Sequence, residues 1–443
     1  MLILNLGVKN IRIHSKNAFP FFIELFLSFA LLLLLSFINK VLVIVGFILI
    51  LFSLWLVERD NLKVFLIGIF LLPSLFYTPI VPNSEVGILG KVIDKRGNYY
   101  TVFSNKLYFE DDWHTYRNYY KFYYGQYSTV PITTGKDVYI HGQIQDNFLK
   151  ADYVAPSYNK SIMIIKDLSI NALNEKIENQ EARDLLISSL MGGIRDKEVF
   201  QSTGTLHLFA VSGMHVYIIY SIISFFLNFI ILKRNARLVI NSTFLVFYLI
   251  FTGFTPSSVR AVLLLVTLNL FRLFDIPVNS FNILGLIGYL NLLVIPNNLL
   301  NVSFQMSYAA AFMILFTTNQ IDNRNLKSLS VPIAAYIGIF PIALIYFGEI
   351  SLIGLFITPL LSPAISMLII CSISSIILPF EFIHSFSTVF ALSIKNFVKL
   401  FTFLEPFKFD SILIPLIIWG IVFLLYVLLL QKNKKGPLSI EAF

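Results

Sequence analysis

Long apolar runs recur along most of the chain, separated by short polar stretches. Three such runs open the sequence, at Ala18–Ile38, Val41–Val57 and about Val64–Tyr77, and about nine more follow between Leu208 and Leu430. A hydrocarbon core about 30 Å thick requires helices of about 20 apolar residues, which is the length that recurs here. The pattern therefore predicts an α-helical polytopic membrane protein with about 12 transmembrane helices.

Between residues 83 and 167 the pattern changes to short runs with charges of both signs. Val138–Ile144 and Asn147–Val154 alternate apolar and polar positions, and Asp146-Asn147 supplies turn residues between them. Alternation with a period of two is typical of half-buried strands, so this segment predicts a small extracytoplasmic β domain. Apolar residues then return at helical spacing beside charged ones, which predicts amphipathic helices lying at the membrane interface.

These patterns divide the chain into five predicted parts. They are N-terminal transmembrane helices (1–82), an extracytoplasmic β domain (83–167), interfacial amphipathic helices (168–200), a larger transmembrane domain (201–430) and a basic tail (431–443). Cytoplasmic ends of membrane proteins are rich in Lys and Arg. Lys9, Arg12 and Lys16 therefore place the N-terminus in the cytoplasm, three crossings put the β domain outside, and nine more return the C-terminus to the cytoplasm.

Composition narrows the class of protein further. Hydrophobic residues make up 57% of the 443 and charged residues only 13%, against roughly a quarter charged in soluble domains. The single cysteine, Cys371, excludes a disulfide within the chain and a cysteine cluster for a metal. We expect neither a cofactor nor a metal ion. The formal net charge of +8 sets orientation first and says little about ligands.

Polar side chains within the predicted spans gather towards the predicted outer ends of four of them. Such groups are costly inside a membrane, so each is a functional candidate. At about 100° per residue, His207, Ser212 and His215 fall within an arc of roughly 140° on one predicted helix. Thr255 predicts an N-cap, which puts Arg260 about one turn into its helix. The predicted polar vestibule comprises His207, Ser212, His215, Thr255, Ser258, Arg260, Gln305 and Glu349.

Four motifs in this order resemble those of the ComEC competence family. Leu185–Val216 contains Thr-Gly-x-x-His-Leu-x-Ala-x-Ser-Gly-x-His, which resembles the signature of that family. The later matches are Thr252–Phe254 with Pro256-Ser257 and Val259–Ala261, then Ser303–Ser307, then Phe347–Leu352 with Pro363. Four ordered motifs over about 180 residues are far more specific than any one alone. One departure is Thr358, where the family usually has Asn.

The resemblance implies a non-enzymatic channel in the bacterial inner membrane that carries single-stranded DNA inwards during natural transformation. It also implies that the β domain is of the OB type and that an external DNA receptor delivers the DNA. Many members carry a metallo-β-lactamase-like domain, but the sequence has no His-x-His-x-Asp-His set, so a separate nuclease is expected. Whether the chain acts alone or as an oligomer stays open.

Transport of DNA inwards also needs an energy source. Moving phosphates against a negative-inside potential costs about 2.3 kcal/mol per charge per 100 mV. The sequence has no Gly-x-x-x-x-Gly-Lys-Ser/Thr loop, so we expect a cytoplasmic helicase or single-strand-binding protein, or proton coupling, to drive uptake.

The β domain offers both kinds of side chain that bind single-stranded DNA, cations for phosphates and aromatic faces for bases. The predicted external DNA contacts are Lys91, Lys95, Arg96, Lys106, Arg117, Lys121, Tyr119 and Tyr120. The aromatic residues have an equally ordinary alternative, which is to pack the β core or to lie in the headgroup layer.

Two other functions fit parts of the sequence. An intramembrane serine protease would use Ser212 as nucleophile with a histidine base. His215 lies only three residues further along the same predicted helix, however, and Ala210 stands where such a nucleophile motif has Gly. A small-solute or lipid transporter fits the apolar composition, but it explains neither the external β domain nor the four motifs.

Overall fold

The computed structural model consists of a helical bundle joined to a small β barrel. It describes residues 21–58, 61–77, 79, 85–96, 98–109, 112–124, 132, 134–145, 148–156, 164–193, 198–209, 211–230, 233–252, 254–276, 279–321, 323–351, 353–403, 406–408, 413, 417, 419–421 and 424. The predicted basic tail and the N-terminal basic residues Lys9, Arg12 and Lys16 lie outside the described residues.

Helices precede and follow the barrel. Before it lie α1 (Phe21–Ser36), α2 (Lys40–Glu58), α3 (Asn61–Leu71) and α4 (Pro73–Phe76). After it lie α5 (Ile164–Lys176), α6 (Gln180–Met191), α7 (Glu198–Ser202), α8 (Gly213–Asn228), α9 (Arg234–Thr252), α10 (Pro256–Leu273), α11 (Ser280–Val294), α12 (Val302–Thr318), α13 (Arg324–Phe347), α14 (Ile353–Ile377) and α15 (Glu381–Lys399). Two 3-10 turns, Leu206–Phe209 and Pro296–Leu300, interrupt the series.

The predicted β domain is confirmed as a closed barrel. Its strands are β1 (Glu85–Arg96), β2 (Tyr99–Phe109), β3 (Asp112–Tyr123), β4 (Asp137–Gln145) and β5 (Phe148–Pro156). The order around the barrel is β1-β2-β3-β5-β4, and all neighbours are antiparallel except β3 and β5. In β4 the side chains of Val138, Ile140 and Ile144 are buried, which follows the alternation in the sequence. A two-stranded pairing of β6 (Glu349–Ile350) with β7 (Phe407–Lys408) lies apart from the barrel.

Three described helices are long and apolar enough to cross a membrane, at Arg234–Thr252, Ser330–Phe347 and Ile353–Ile377. Six shorter apolar helices of 10–17 residues accompany them, among them α1 and α8. These apolar helices indicate a membrane protein. The count of about 12 spans and the orientation of the two termini remain predictions.

Helix α5 connects the barrel to the bundle. At its first turn the buried Lys166 Nζ lies 2.9 Å from Asp94 Oδ1 of β1, and Thr134 Oγ1 donates to Asp167 Oδ1 at 2.5 Å. At its last turn Lys176 Nζ donates to the carbonyls of Ser375 and Ile376 at 3.0 and 2.8 Å. These carbonyls belong to the C-terminal end of α14, where a cation also interacts favourably with the helix dipole. The predicted interfacial position of residues 168–200 stays a prediction.

Replacing Lys166 with alanine is expected to lower the free energy of unfolding by about 1–3 kcal/mol. The ammonium is 2% exposed and donates to both Asp94 and the carbonyl of Ile93, and bonds from a buried charge are the strong ones. The check is the melting temperature of the purified chain in nanodiscs, with Lys95→Ala at an exposed neighbouring position as the control. Equal melting temperatures for the two variants would contradict this role for Lys166.

Candidate polar site at the starts of two helices

The segment before α8 does not continue into that helix. The sequence predicts a single helix that contains His207, Ser212 and His215. Leu206–Phe209 forms a 3-10 turn, and α8 begins only at Gly213, with Ser212 in extended conformation at the N-cap. The prediction that His207, Ser212 and His215 share a helical face is therefore wrong. The chain breaks before α8 because Ser212 is a good N-cap and starts a new helix. His207 lies on the 3-10 turn, is exposed, and its Nδ1 lies 2.9 Å from the Gly204 carbonyl oxygen.

Ser212 and His215 cap the start of α8. The Ser212 hydroxyl lies 3.1 Å from His215 Nδ1, and the Ser212 amide donates to the same nitrogen at 3.4 Å. His215 is fully buried, and its Nε2 makes no hydrogen bond to any described residue. The contact between serine and histidine is thus a capping box, which stabilises a helix start by about 1 kcal/mol.

The start of α10 is a second cap that lies against the first. The predicted N-cap at Thr255 is confirmed, because its hydroxyl accepts from the Ser258 amide at 3.4 Å. The buried Ser258 hydroxyl also contacts the hydroxyls of Thr255 and Thr252, at 2.8 and 3.3 Å. Ser257 donates through its hydroxyl to the Val211 carbonyl, one residue before Ser212. The hydrogen bond from Ser257 therefore joins the starts of α8 and α10.

Arg260 places a cation one turn below these caps. Its Nε donates to Ser307 Oγ of α12 at 2.6 Å, and its guanidinium carbon lies 5.9 Å from the centre of the Tyr308 ring. A Cβ added at Gly213 would lie 3.5 Å from Nη2, so the guanidinium reaches the start of α8. The side chain is half-buried, and no carboxylate of the described residues lies within 4 Å of it.

The structure leaves the other predicted vestibule residues outside this network. Gln305 turns back and donates to the Leu299 carbonyl at 2.7 Å. Glu349 accepts from Gln201 at 3.4 Å. Among the described residues, no hydrogen bond joins Gln305, Glu349 or His207 to the group around Arg260. The structure thus brings together Ser212, His215, Thr255, Ser258 and Arg260.

Several residues predicted to contact DNA interact instead with other side chains of the barrel. Lys91 pairs with Asp137 at 2.9 Å, and Lys95 lies over the Tyr100 ring, 5.3 Å from its centre. Tyr120 is only 2% exposed and packs in the barrel core, so the packing alternative holds for this residue. The side chain of Arg96 lies outside the described part of the chain.

The remaining predicted contacts are on the outside of the barrel. Lys106, Arg117 and Lys121 are exposed. We define the outer β2–β3 face as the outward residues of these two strands; they are Tyr99, Phe103, Arg117, Tyr119, Lys121 and Tyr123. Ring pairs occur along it, with centroids 5.4 Å apart for Tyr99 and Tyr123 and 5.1 Å apart for Phe103 and Tyr119.

One end of the outer β2–β3 face contacts the polar site of the bundle. Tyr119 donates through its hydroxyl to the Phe254 carbonyl at 2.6 Å, across 135 positions of sequence. Burial raises the pKa of the Tyr119 phenol above its usual range, so the hydroxyl stays a donor at physiological pH. Sequence reasoning missed this contact and the Ser307 partner of Arg260, because neither has a local signal. Among the described residues, no group of three His, Cys, Asp or Glu side chains is placed to hold a metal ion.

A family model described as Competence protein matches residues 194–432, which is more than half of the 443-residue chain. The chain belongs to the competence protein family. The resemblance to ComEC proteins is thereby confirmed. The matched region contains both caps and Arg260, whereas α1–α6 and the barrel precede it.

Two curated relatives match parts of the chain. An uncharacterized protein of Aquifex aeolicus (strain VF5) is 26% identical over 226 residues, which cover 49% of this chain and 53% of that protein. ComE operon protein 3 of Bacillus subtilis (strain 168) is 29% identical over 167 residues, which cover 37% of this chain and 22% of that protein. The chain thus spans about half of the first relative and about a fifth of the second. No solved structure matches.

Proposed function

We propose that this chain is a channel that conducts single-stranded DNA across the bacterial cytoplasmic membrane during natural transformation. Membership of the competence family and the similarity to ComE operon protein 3 support a role in DNA uptake. The observation that carries the proposal is Arg260, a half-buried cation with no carboxylate partner among the described residues.

A cation within a membrane domain requires compensation. Charged groups there pair with one another or mark the path of a charged substrate. Arg260 donates from Nε to Ser307, and its Nη2 lies beside the start of α8. A phosphate diester is a fitting partner, because the guanidinium fork matches two phosphate oxygens. The hydroxyls of Ser212, Thr255 and Ser258 make the surroundings of this cation polar, and each of them is hydrogen-bonded within the two caps.

The barrel supports the same function. Five strands closed in the order β1-β2-β3-β5-β4 support an OB-type assignment, a fold that binds oligonucleotides across strands 2 and 3. The outer β2–β3 face has exposed cations at Arg117 and Lys121 and exposed rings at Tyr99 and Tyr123. Cations that follow phosphates and rings that stack on bases are what sequence-tolerant single-strand binding requires.

In this proposal the chain is not an enzyme. The contact between Ser212 and His215 is accounted for as a helix cap, which removes the main support for a protease. The chain would lie in the inner membrane with both termini in the cytoplasm, alone or as an oligomer. An external DNA receptor, a separate nuclease and a cytoplasmic helicase or strand-binding protein would complete the pathway.

Cells that lack this chain are expected to bind fluorescent DNA outside the cytoplasmic membrane but never to admit it to the cytoplasm. The measurement combines microscopy of labelled DNA with transformation frequency, and the wild-type chain supplied in trans is the control that restores entry. Unchanged transformation in the deletion strain would overturn the proposed function and leave a membrane protein of another role.

A further inference from the structure

Phe254 has a backbone conformation that a bulky residue rarely adopts. Its φ is +56°, in the left-handed region, where a side chain crowds its own backbone. Among the described non-glycine residues only Asp275 shares a positive φ, and aspartate tolerates it better. The strain is therefore concentrated in the short connection between α9 and α10, directly before the Thr255 cap.

Hydrogen bonds on both sides fix the strained residue. The Phe254 amide donates to the Leu249 carbonyl of α9 at 3.2 Å, and its own carbonyl accepts from the Tyr119 hydroxyl at 2.6 Å. The next residue, Thr255, caps α10. Strained backbone persists only where the surrounding structure determines it in this way, and such strain is concentrated at functional sites.

Packing alone does not account for an aromatic residue here. The Phe254 ring is 36% exposed, so it is not a core side chain. Glycine adopts a positive φ without penalty and is the usual residue where a helix ends in this conformation. A phenylalanine that is both strained and exposed lowers the stability of the fold. This cost indicates that the ring itself has a function.

The position of Phe254 suggests that use. Tyr119, which binds its carbonyl, is part of the outer β2–β3 face and lies against Phe103. On the other side, Arg260 lies about one helical turn beyond the Thr255 cap. Phe254 is thus an aromatic residue whose backbone contacts the barrel through Tyr119 and which precedes Arg260 by six positions in the bundle.

We propose that Phe254 is a stacking platform for a DNA base at the entrance to the path, with Arg260 binding a neighbouring phosphate. This inference rests on the proposed DNA function. Tyr119 acts as a positioning residue, because its hydroxyl holds the carbonyl of the strained residue. Stacking on a ring is sequence-tolerant, since every base has a π face.

Replacing Phe254 with glycine separates function from stability. The variant loses the ring and the strain together, so its melting temperature is expected to stay equal or rise, while DNA uptake per inserted protein falls roughly tenfold. Phe254→Trp is expected to keep uptake. Phe254→Leu is the matched control, because it keeps an apolar side chain at the same strained position but has no π face.

Binding in nanodiscs distinguishes a base contact from a phosphate contact. The 443-residue chain is titrated with a fluorescent 20-nucleotide oligothymidine and with an abasic strand of equal length. Phe254→Gly is expected to weaken binding of oligothymidine roughly tenfold and to leave the abasic strand unchanged. Arg260→Ala is expected to weaken binding of both strands, because phosphates are common to them.

Three outcomes would overturn the stacking role. Wild-type uptake by Phe254→Leu would show that only an apolar side chain is needed, as for a contact with lipid. A lower melting temperature of Phe254→Gly that accounts for its lost uptake would show a structural role. Equal weakening for both strands would show that bases are not read. In each case a defect in Arg260→Ala would leave the channel function standing, whereas normal uptake in the deletion strain would remove both.

Discussion

Replacing Arg260 with alanine is expected to reduce DNA entry by about two orders of magnitude or more while the protein still inserts. In the proposed channel Arg260 pairs with a phosphate of the passing DNA. Removing one partner of a buried, hydrogen-bonded charge pair costs about 2–5 kcal/mol of binding free energy, and each 1.4 kcal/mol changes an equilibrium constant tenfold. Without DNA, Arg260 has Ser307 as a partner but no carboxylate among the described residues. Replacing it therefore removes the free-energy cost of burying its own charge and leaves no buried carboxylate without a counter-charge. The loss is therefore expected in transport and not in stability, and both are measured.

Two further variants test whether the effect belongs to the guanidinium at this position. Arg260→Lys keeps the charge but loses the planar fork, so uptake is expected to lie between those of the wild type and Arg260→Ala. Arg272→Ala removes the same side chain from the exposed far end of α10 and is expected to leave uptake unchanged. Wild-type uptake by Arg260→Ala, or an equal loss in Arg272→Ala, would contradict a phosphate site at Arg260.

The parts of the site that sequence reasoning could predict are those set by local rules. Thr255 and Pro256 are adjacent in sequence, and a cap acts within three residues, so the start of α10 and the depth of Arg260 follow from the sequence. The start of α8 obeys the same rule. There Ser212 and His215 form a capping box within three residues, so a helix start at Gly213 also follows from a local rule.

The remaining features depend on contacts between distant residues. Alternation along β4 predicts which of its side chains face the core, but not that Tyr119 of β3 meets Phe254, 135 positions away. The positive φ of Phe254 is equally hidden, because the sequence there offers a residue that disfavours it. A strained position of this kind is where local reasoning is expected to fail when function has determined the residue.

Replacing Gly285 with alanine is expected to destabilise the chain by about 3 kcal/mol, at the upper end of the range for overpacking. A Cβ at Gly285 of α11 would lie 2.4 Å from backbone atoms of Phe22 and Ile23 in α1, and backbone cannot move aside as a side chain can. The Phe22 amide also donates to Asn282 at 3.1 Å, so a shift of α1 would break that bond too. The gain in helix propensity from Gly to Ala, about 1 kcal/mol, does not offset this clash.

Two other glycines give a graded control for this prediction. A Cβ at Gly288 would lie 2.6 Å from ring atoms of Phe26, which can rotate, so Gly288→Ala is expected to cost less than Gly285→Ala. A Cβ at Gly68 would meet Leu51 at an ordinary 3.5 Å, so Gly68→Ala is expected to be neutral or stabilising. The order is measured by thermal unfolding in nanodiscs. Because α11 lies inside the matched family region and α1 precedes it, this order would show that the N-terminal helices share one core with the competence domain. Equal stability of Gly285→Ala and Gly68→Ala would show instead that α1 is only loosely attached to that domain.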